Sequence, residues 1–298
     1  MRARMVLGGV VLALCGSGLA AQQQFQILAT VLDASGAPAA DLQPADVRVL
    51  EDDKEGKISR VEAVERRPSV QILLDNGIGL GSDNLTHLRN GVRALIEAIP
   101  EGVEMTMVTT APQPRFVVRA TTDRKALLDG VNRLAPDSGA GRFVESLNEA
   151  TQRIAKEKPD TAPFVITVGS TSGDTNIMER DVERLMMRLQ DRPTTVHVVL
   201  LVGAAGRSAS GGGNQTEIGL AVTKMTGGRY EGINAGTRLA TLLPELGALV
   251  AKNAAEQKRQ YRLTVERPAG SSGDLGRISM GTRTGLQVVG VAMERSAK

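Results

Sequence analysis

Asp75 closes an apolar run, Val70 to Leu74, and is followed at once by Gly77-Ile78-Gly79-Leu80-Gly81. A helical pattern then starts near Asp83, with Leu85, Leu88, Val92, Leu95, Ile96 and Ile99 at helical spacing. Strand, loop and helix N-terminus make the usual ligand-binding corner of an open α/β sheet. The glycines suggest a dinucleotide site, but they are spaced G-x-G-x-G rather than G-x-G-x-x-G, and a long β-rich segment precedes their strand. We therefore read them as loop residues. A second stretch, Gly169-Ser170-Thr171-Ser172-Gly173, has the form of a nucleophile elbow with Thr171 at the nucleophile position. The chain has two histidines, His87 in a helical segment and His197 inside an apolar strand, and both read as structural rather than catalytic. The acidic run Glu51-Asp52-Asp53-Lys54-Glu55-Gly56 lacks the alternating oxygen-ligand spacing of a calcium loop and reads as a solvated hairpin tip.

These residues need a scaffold, and periodicity supplies one. From Pro68 to about Lys258, strand segments at 70–75, 103–109, 115–119, 163–168 and 195–202 alternate with helical segments at 83–99, 123–134, 142–157, 178–191, 214–226 and 236–257. Three of the strands are near-continuous apolar runs, as expected where helices cover both faces of a parallel sheet. The segments 103–109 and 115–119 are close enough, through Pro112 and Pro114, to pair as an antiparallel hairpin at a sheet edge. The fold class is α/β, a doubly wound, mostly parallel sheet. A β-rich lead-in occupies 22–67, with Phe25, Ile27, Ala29 and Val31 on one face and a short strand at Val47 and Val49. Alternation at Tyr261, Leu263 and Val265, and again at Leu286, Val288, Gly290 and Ala292, predicts a C-terminal β-hairpin extension over 259–298.

Composition narrows the function. Residues 1–21 carry Arg2 and Arg4, an apolar run from Met5 to Leu14 and small residues up to Ala21, which reads as a secretory signal cleaved near Ala20 or Ala21. The one cysteine, Cys15, leaves with it, removing disulfides, thiolate nucleophiles and Cys-based metal sites. The 36 basic residues face 33 acidic ones, and the signal takes two arginines with it, so the rest is nearly neutral. A balanced charge without a basic stripe argues against nucleic acid. Aromatic residues make up 2% of the chain, which leaves few stacking platforms for single strands or sugars. The expectation is an exported, folded protein with no membrane span in its mature form.

With the segments 70–75, 83–99, Pro163-Phe164-Val165-Ile166-Thr167-Val168-Gly169 and Thr226-Gly227-Gly228-Arg229-Tyr230 in view, the chain resembles a von Willebrand factor type A (VWA) domain. More narrowly it is similar to exported bacterial VWFA-related proteins, through Asp33-Ala34-Ser35-Gly36-Ala37-Pro38, the stretch Asp46 to Asp52, and Gln260-Tyr261-Arg262-Leu263-Thr264-Val265. The resemblance implies a Mg²⁺ or Mn²⁺ site built from Asp-x-Ser-x-Ser, a threonine from a second loop and a later aspartate. It places Asp75 at the first position, Gly77 and Gly79 at the serines, Gly141 at the threonine and Val168 at the later aspartate. Only Asp75 keeps a ligand, and one carboxylate does not hold Mg²⁺ against its hydration shell. Ser82, Asp83 and Asp174 could form a displaced site, and their ordinary roles are a helix cap for Asp83 and a turn for Asp174.

The resulting expectation is a non-catalytic interaction or scaffold module without cofactor or metal. It would bind an unidentified protein partner through loops 76–82, 110–114, 136–142, 169–177 and 203–214. The alternatives are a metal-dependent adhesion module with a displaced ion site, or an exported hydrolase using loop 169–173.

Overall fold

The computed structural model describes residues 23–172, 178–202, 212–271, 273–283 and 285–294. Three strands come first: β1 (Gln24–Asp33), β2 (Val47–Glu51) and β3 (Lys54–Glu65). An α/β stretch follows: β4 (Arg67–Leu74), α1 (Leu85–Ala98), β5 (Glu104–Thr109), β6 (Arg115–Thr121), α2 (Arg124–Arg133), α3 (Phe143–Ile154), β7 (Thr161–Ser170), α4 (Glu179–Asp191), β8 (Thr195–Leu201), α5 (Gly212–Thr226), β9 (Tyr230–Ile233) and α6 (Leu239–Gln257). Three strands end the described chain: β10 (Arg259–Glu266), β11 (Ile278–Thr282) and β12 (Leu286–Glu294).

The α/β stretch forms a six-stranded sheet in the order β6-β5-β4-β7-β8-β9, parallel except for the edge strand β6. This is the doubly wound sheet expected from periodicity, with its antiparallel hairpin at one edge. Alternate strand residues face opposite helical layers. Val70, Ile72, Met105 and Met107 pack with α1, α2 and α6, while Leu73, Val108, Val165 and Val198 pack with α3, α4 and α5. Helix α1 buries Leu85, Leu88, Val92, Leu95 and Ile96, one stripe at 3.6-residue spacing. Asp123 starts α2 by accepting the Ala126 N–H at 3.2 Å. The strand β9 was not expected from the sequence.

The remaining strands correct one expectation. Among the described residues the C-terminal strands do not pair with each other: β10 pairs with β1 and β3, β12 pairs with β1, and β11 pairs with β2. Together with the N-terminal strands they make one six-stranded antiparallel sheet, β11-β2-β3-β10-β1-β12. Local alternation identifies strands, but it does not choose partners more than 200 residues away. The edge strands β11 and β12 follow one another in the chain, so the sheet curls around its own core of Ile27, Val31, Val49, Tyr261, Leu263 and Val265. The α/β stretch leaves and re-enters this sheet between neighbouring strands: Glu65 pairs with Arg259, and the Arg66 N–H bonds the Lys258 carbonyl at 2.7 Å.

The acidic run also divides. Asp52 and Asp53 turn between β2 and β3 with φ of 48° and 64°, the left-handed pair of a two-residue hairpin turn. Glu51 is not part of a solvated tip. It is buried and takes a bidentate ion pair from Arg267.

Candidate functional site

The register of β4 on β7 sets Leu74 beside Val168, so both strands end at the same level and present Asp75 and Ser170 there. The Asp75 N–H extends the ladder to the Val168 carbonyl at 2.8 Å. Its carboxylate accepts the Gly77 N–H at 2.8 Å on Oδ1 and the Ser170 hydroxyl at 3.3 Å on Oδ2. Asp75 is 2% exposed. Desolvation pushes its carboxyl above the usual carboxylate range, and the bonds from Gly77 and Ser170 pull the other way.

Three of the expected loops are knit together around this corner. The Asn76 side chain donates to the Ala135 carbonyl at 2.8 Å, and the Asp137 N–H to the Asn76 carbonyl at 2.7 Å. The Ile78 N–H reaches the Gly139 carbonyl at 3.0 Å, and the Arg142 N–H the Thr110 carbonyl at 3.0 Å. Ile78 itself, at 64% exposure, stands out from the loop. Loop 169–177 is described only at 169–172, and loop 203–214 only at 212–214 apart from side chains at 212 and 213.

The glycines have a packing reason. A Cβ at Gly141 would lie 2.5 Å from Cγ of Asp75, one at Gly79 would lie 2.1 Å from the Ser170 hydroxyl, and one at Gly77 would lie 2.3 Å from the Gly139 carbonyl oxygen. Serine or threonine at these positions has no room. Val168 packs in the hydrophobic core and offers Asp75 only its carbonyl. The side chain beside Asp75 is Ser170, two residues further on, whose role sequence reasoning missed. It was legible only as part of the 169–173 motif. Ser82 and Asp83 are exposed and bond to each other at 3.4 Å rather than to Asp75. Asp83 does not cap α1: it lies in a 3-10 turn over 82–84, and the Asn84 side chain donates back to the Leu80 carbonyl at 2.7 Å. Asp174 lies outside the described residues.

A hard divalent cation needs several oxygen ligands in near-ideal geometry. The residues at this corner do not fit one. Of the two side-chain oxygen carriers at its centre, one donates its hydrogen bond to the other, and Gly141 closes over the carboxylate. Among the described residues, no group of three or more His, Cys, Asp or Glu side chains is placed to hold a metal ion. The packing makes a direct prediction. Gly141→Ala should destabilise the protein by about 1–3 kcal/mol, because a methyl must displace a buried carboxylate. Urea unfolding of the variant checks it, and an unchanged midpoint would show that the loop gives way freely.

The elbow-like loop places Thr171 buried, with its N–H and hydroxyl both directed at the Leu201 carbonyl, at 3.0 and 3.5 Å. His197 lies four residues before Leu201 on β8, about 13 Å along the strand. Its Nδ1 accepts the Arg229 N–H at 3.1 Å. His87 is half-buried on α1. The structure does not bring Thr171 and His197 together.

Comparison with protein-family models and with curated proteins finds no match. Solved structures do match. A von Willebrand factor type A structure from Catenulispora acidiphila aligns over 92% of this chain and 74% of its own, with a TM-score of 0.52 and 13% identity. The fold is VWA-like. The SpRpn10 VWA domain aligns over 60% of this chain and 94% of its own (TM-score 0.46, 13% identity). BatB from Bacteroides thetaiotaomicron aligns over 62% and 98% (TM-score 0.45, 14% identity). Identities this low speak to the fold alone. In the VWA-like sheet, Asp75 and Ser170 sit at the carboxyl ends of adjacent parallel strands, where open α/β sheets present their ligands.

Proposed function

We propose that this chain is an exported, non-catalytic VWA-like interaction module. It binds a protein partner without a metal ion, through the loops at the carboxyl ends of its parallel strands. The observation that carries this reading is the closure of Asp75: buried, bonded by Gly77 and Ser170, and covered at Gly141. A corner sealed in this way serves as a rigid base for its loops, and exposed Ile78 gives those loops an apolar contact point. The separation of Thr171 from His197 supports the non-catalytic assignment. Export rests on the composition of residues 1–21. No helix among the described residues is long and apolar enough to cross a membrane.

Thermal melting with Mg²⁺ or Mn²⁺ tests the metal-independent binding. A ligand that binds only the folded state raises the melting temperature by mass action. On this proposal, millimolar Mg²⁺ or Mn²⁺ leaves the melting temperature where EDTA leaves it. A rise of several degrees, reversed by EDTA, would replace this reading with the displaced-ion alternative.

A further inference from the structure

The two faces of the VWA-like sheet are not equally dry. On the face packed by α1 and α2, strands β4, β5 and β6 present Val70, Ile72, Met105, Met107 and Val118. On the face toward α3, β4 and β5 present Ser69, Gln71 and Thr106, all buried. Buried polar side chains on otherwise apolar strands are informative, because each one needs a partner. They line a cavity of about 370 Å³ between α3 and the β5–β6 hairpin, together with Glu104, Phe116, Arg119, Arg153 and Glu157. That volume lies within the range of small-molecule sites. The cavity is also remote from Asp75: Ser69 lies six residues earlier on the strand, about 20 Å away.

Charge is distributed unevenly around it. At one end, the guanidinium of Arg119 lies 4.6 Å from the Phe116 ring centroid and that of Arg153 lies 5.2 Å from it, so two cations share one aromatic ring. Arg119 has no carboxylate partner among the described residues. Arg153 bonds Gln71 through Nε at 3.0 Å and reaches Glu149 only at 3.5 Å, while its buried Nη2 has no hydrogen-bond partner among the described residues. At the other end, Glu157 accepts the Ser69 hydroxyl at 2.9 Å and the Gln71 amide at 3.4 Å, with Glu104 on the same wall. Burial holds the Glu157 carboxyl above its ordinary range, while the Ser69 and Gln71 bonds and the Arg192 charge pull it down and the like charge of Glu104 adds a smaller push upward. A bulge in β6, between the pairs Met107–Val118 and Met105–Thr121, carries Arg119 and Ala120 across from Thr106, two residues from Glu104, so the two ends are about 7 Å apart along the strand. Arg119 without a carboxylate partner and the unpartnered Nη2 of Arg153 at one end, with Glu104 and Glu157 at the other, suit a ligand carrying both charges.

We propose that this cavity binds a small zwitterion of the amino-acid class, its carboxylate held by Arg119 and Arg153 beside Phe116 and its ammonium by Glu104 and Glu157. The site is independent of the partner surface proposed above.

Titration calorimetry on the full chain tests this, with the free L-amino acids as probes one at a time and with acetate and ethylammonium as the half-ligands. The expected result is saturable, sub-millimolar binding of at least one amino acid and none of either half-ligand. Arg119→Gln and Glu104→Gln should each weaken it by about tenfold or more, since each removes a charge-assisted bond. Both side chains are exposed, so the variants should melt like the parent. Failure of every amino acid to bind, acetate binding as tightly as the zwitterion, or affinity unchanged in both variants would each overturn the proposal. Melting in Mg²⁺ reads the Asp75 corner separately, so the two proposals can fail independently.

Discussion

Glu51→Gln is expected to lower the melting temperature by on the order of 10 °C, the largest loss from any single substitution considered. The Glu51 carboxylate is buried and receives two bonds from Arg267 and the Gly276 N–H at 3.0 Å. Arg267 also donates to the Gln23 side chain at 2.7 Å and to the carbonyls of Gly273 and Asp274 at 2.9 and 3.1 Å. One ion pair thus joins the start of β1, the end of β2 and the β10–β11 connection. Removing one charge strands the other in a dry site, which is costlier than never having buried the pair. The Arg267 guanidinium holds the Glu51 carboxyl below its usual value. A depressed carboxyl gives stability that is complete above the unfolded pKa and lost as pH falls through the folded one. The variant should therefore also lose part of the parent's acid sensitivity. A melting temperature within about 2 °C of the parent would show that water already reaches the pair.

The second large effect is acid destabilisation through His197. This residue is fully buried in β8, between β7 and β9, with Nδ1 taking the Arg229 N–H and Nε2 without a hydrogen-bond partner among the described residues. Desolvation, with the Arg229 charge adding to it, pushes the imidazole down from 6.5 to about 4. Between those values the unfolded chain holds a proton that the folded chain refuses. Stability is then complete above pH 6.5 and falls as pH drops toward 4, by about 3 kcal/mol in all. Asp75 and Glu157, both raised by burial, work in the opposite sense, gaining stability as they protonate. Comparing parent with His197→Asn cancels them, because Asn keeps an acceptor for Arg229 and does not titrate. Urea unfolding at pH 7, 5.5 and 4.5 should give a shallower pH dependence for the variant. Parallel curves would mean that His197 titrates alike in the folded and the unfolded chain.

The α/β half was legible because its signals are local. The stripe in α1, the apolar run of β7 and the paired prolines between β5 and β6 each lie within one window of sequence. Strand β9 was missed because its four residues follow a Gly-Gly turn and carry little period. The second sheet was read as separate pieces for a different reason. Gln24 pairs with Glu266 and Gln26 with Glu294, and no local pattern encodes those distances. The same limit governs the candidate site. Asp75 stood out at the end of its strand, but Ser170 becomes its partner only through the parallel register of β4 and β7. Glu51 was hidden in an acidic run whose other charged members are solvated, and its counter-ion lies more than 200 residues away.

The junction at Arg66 and Lys258 makes the small sheet the host and the VWA-like layer a guest spliced between two of its neighbouring strands. An unstructured guest would leave β3 and β10 joined by a very long tether, and closing it costs on the order of 5 kcal/mol of chain entropy. A folded guest delivers both ends side by side, already held by the bond from Arg66 to Lys258. The folded α/β layer is thus the clamp that spares the host sheet this closure cost.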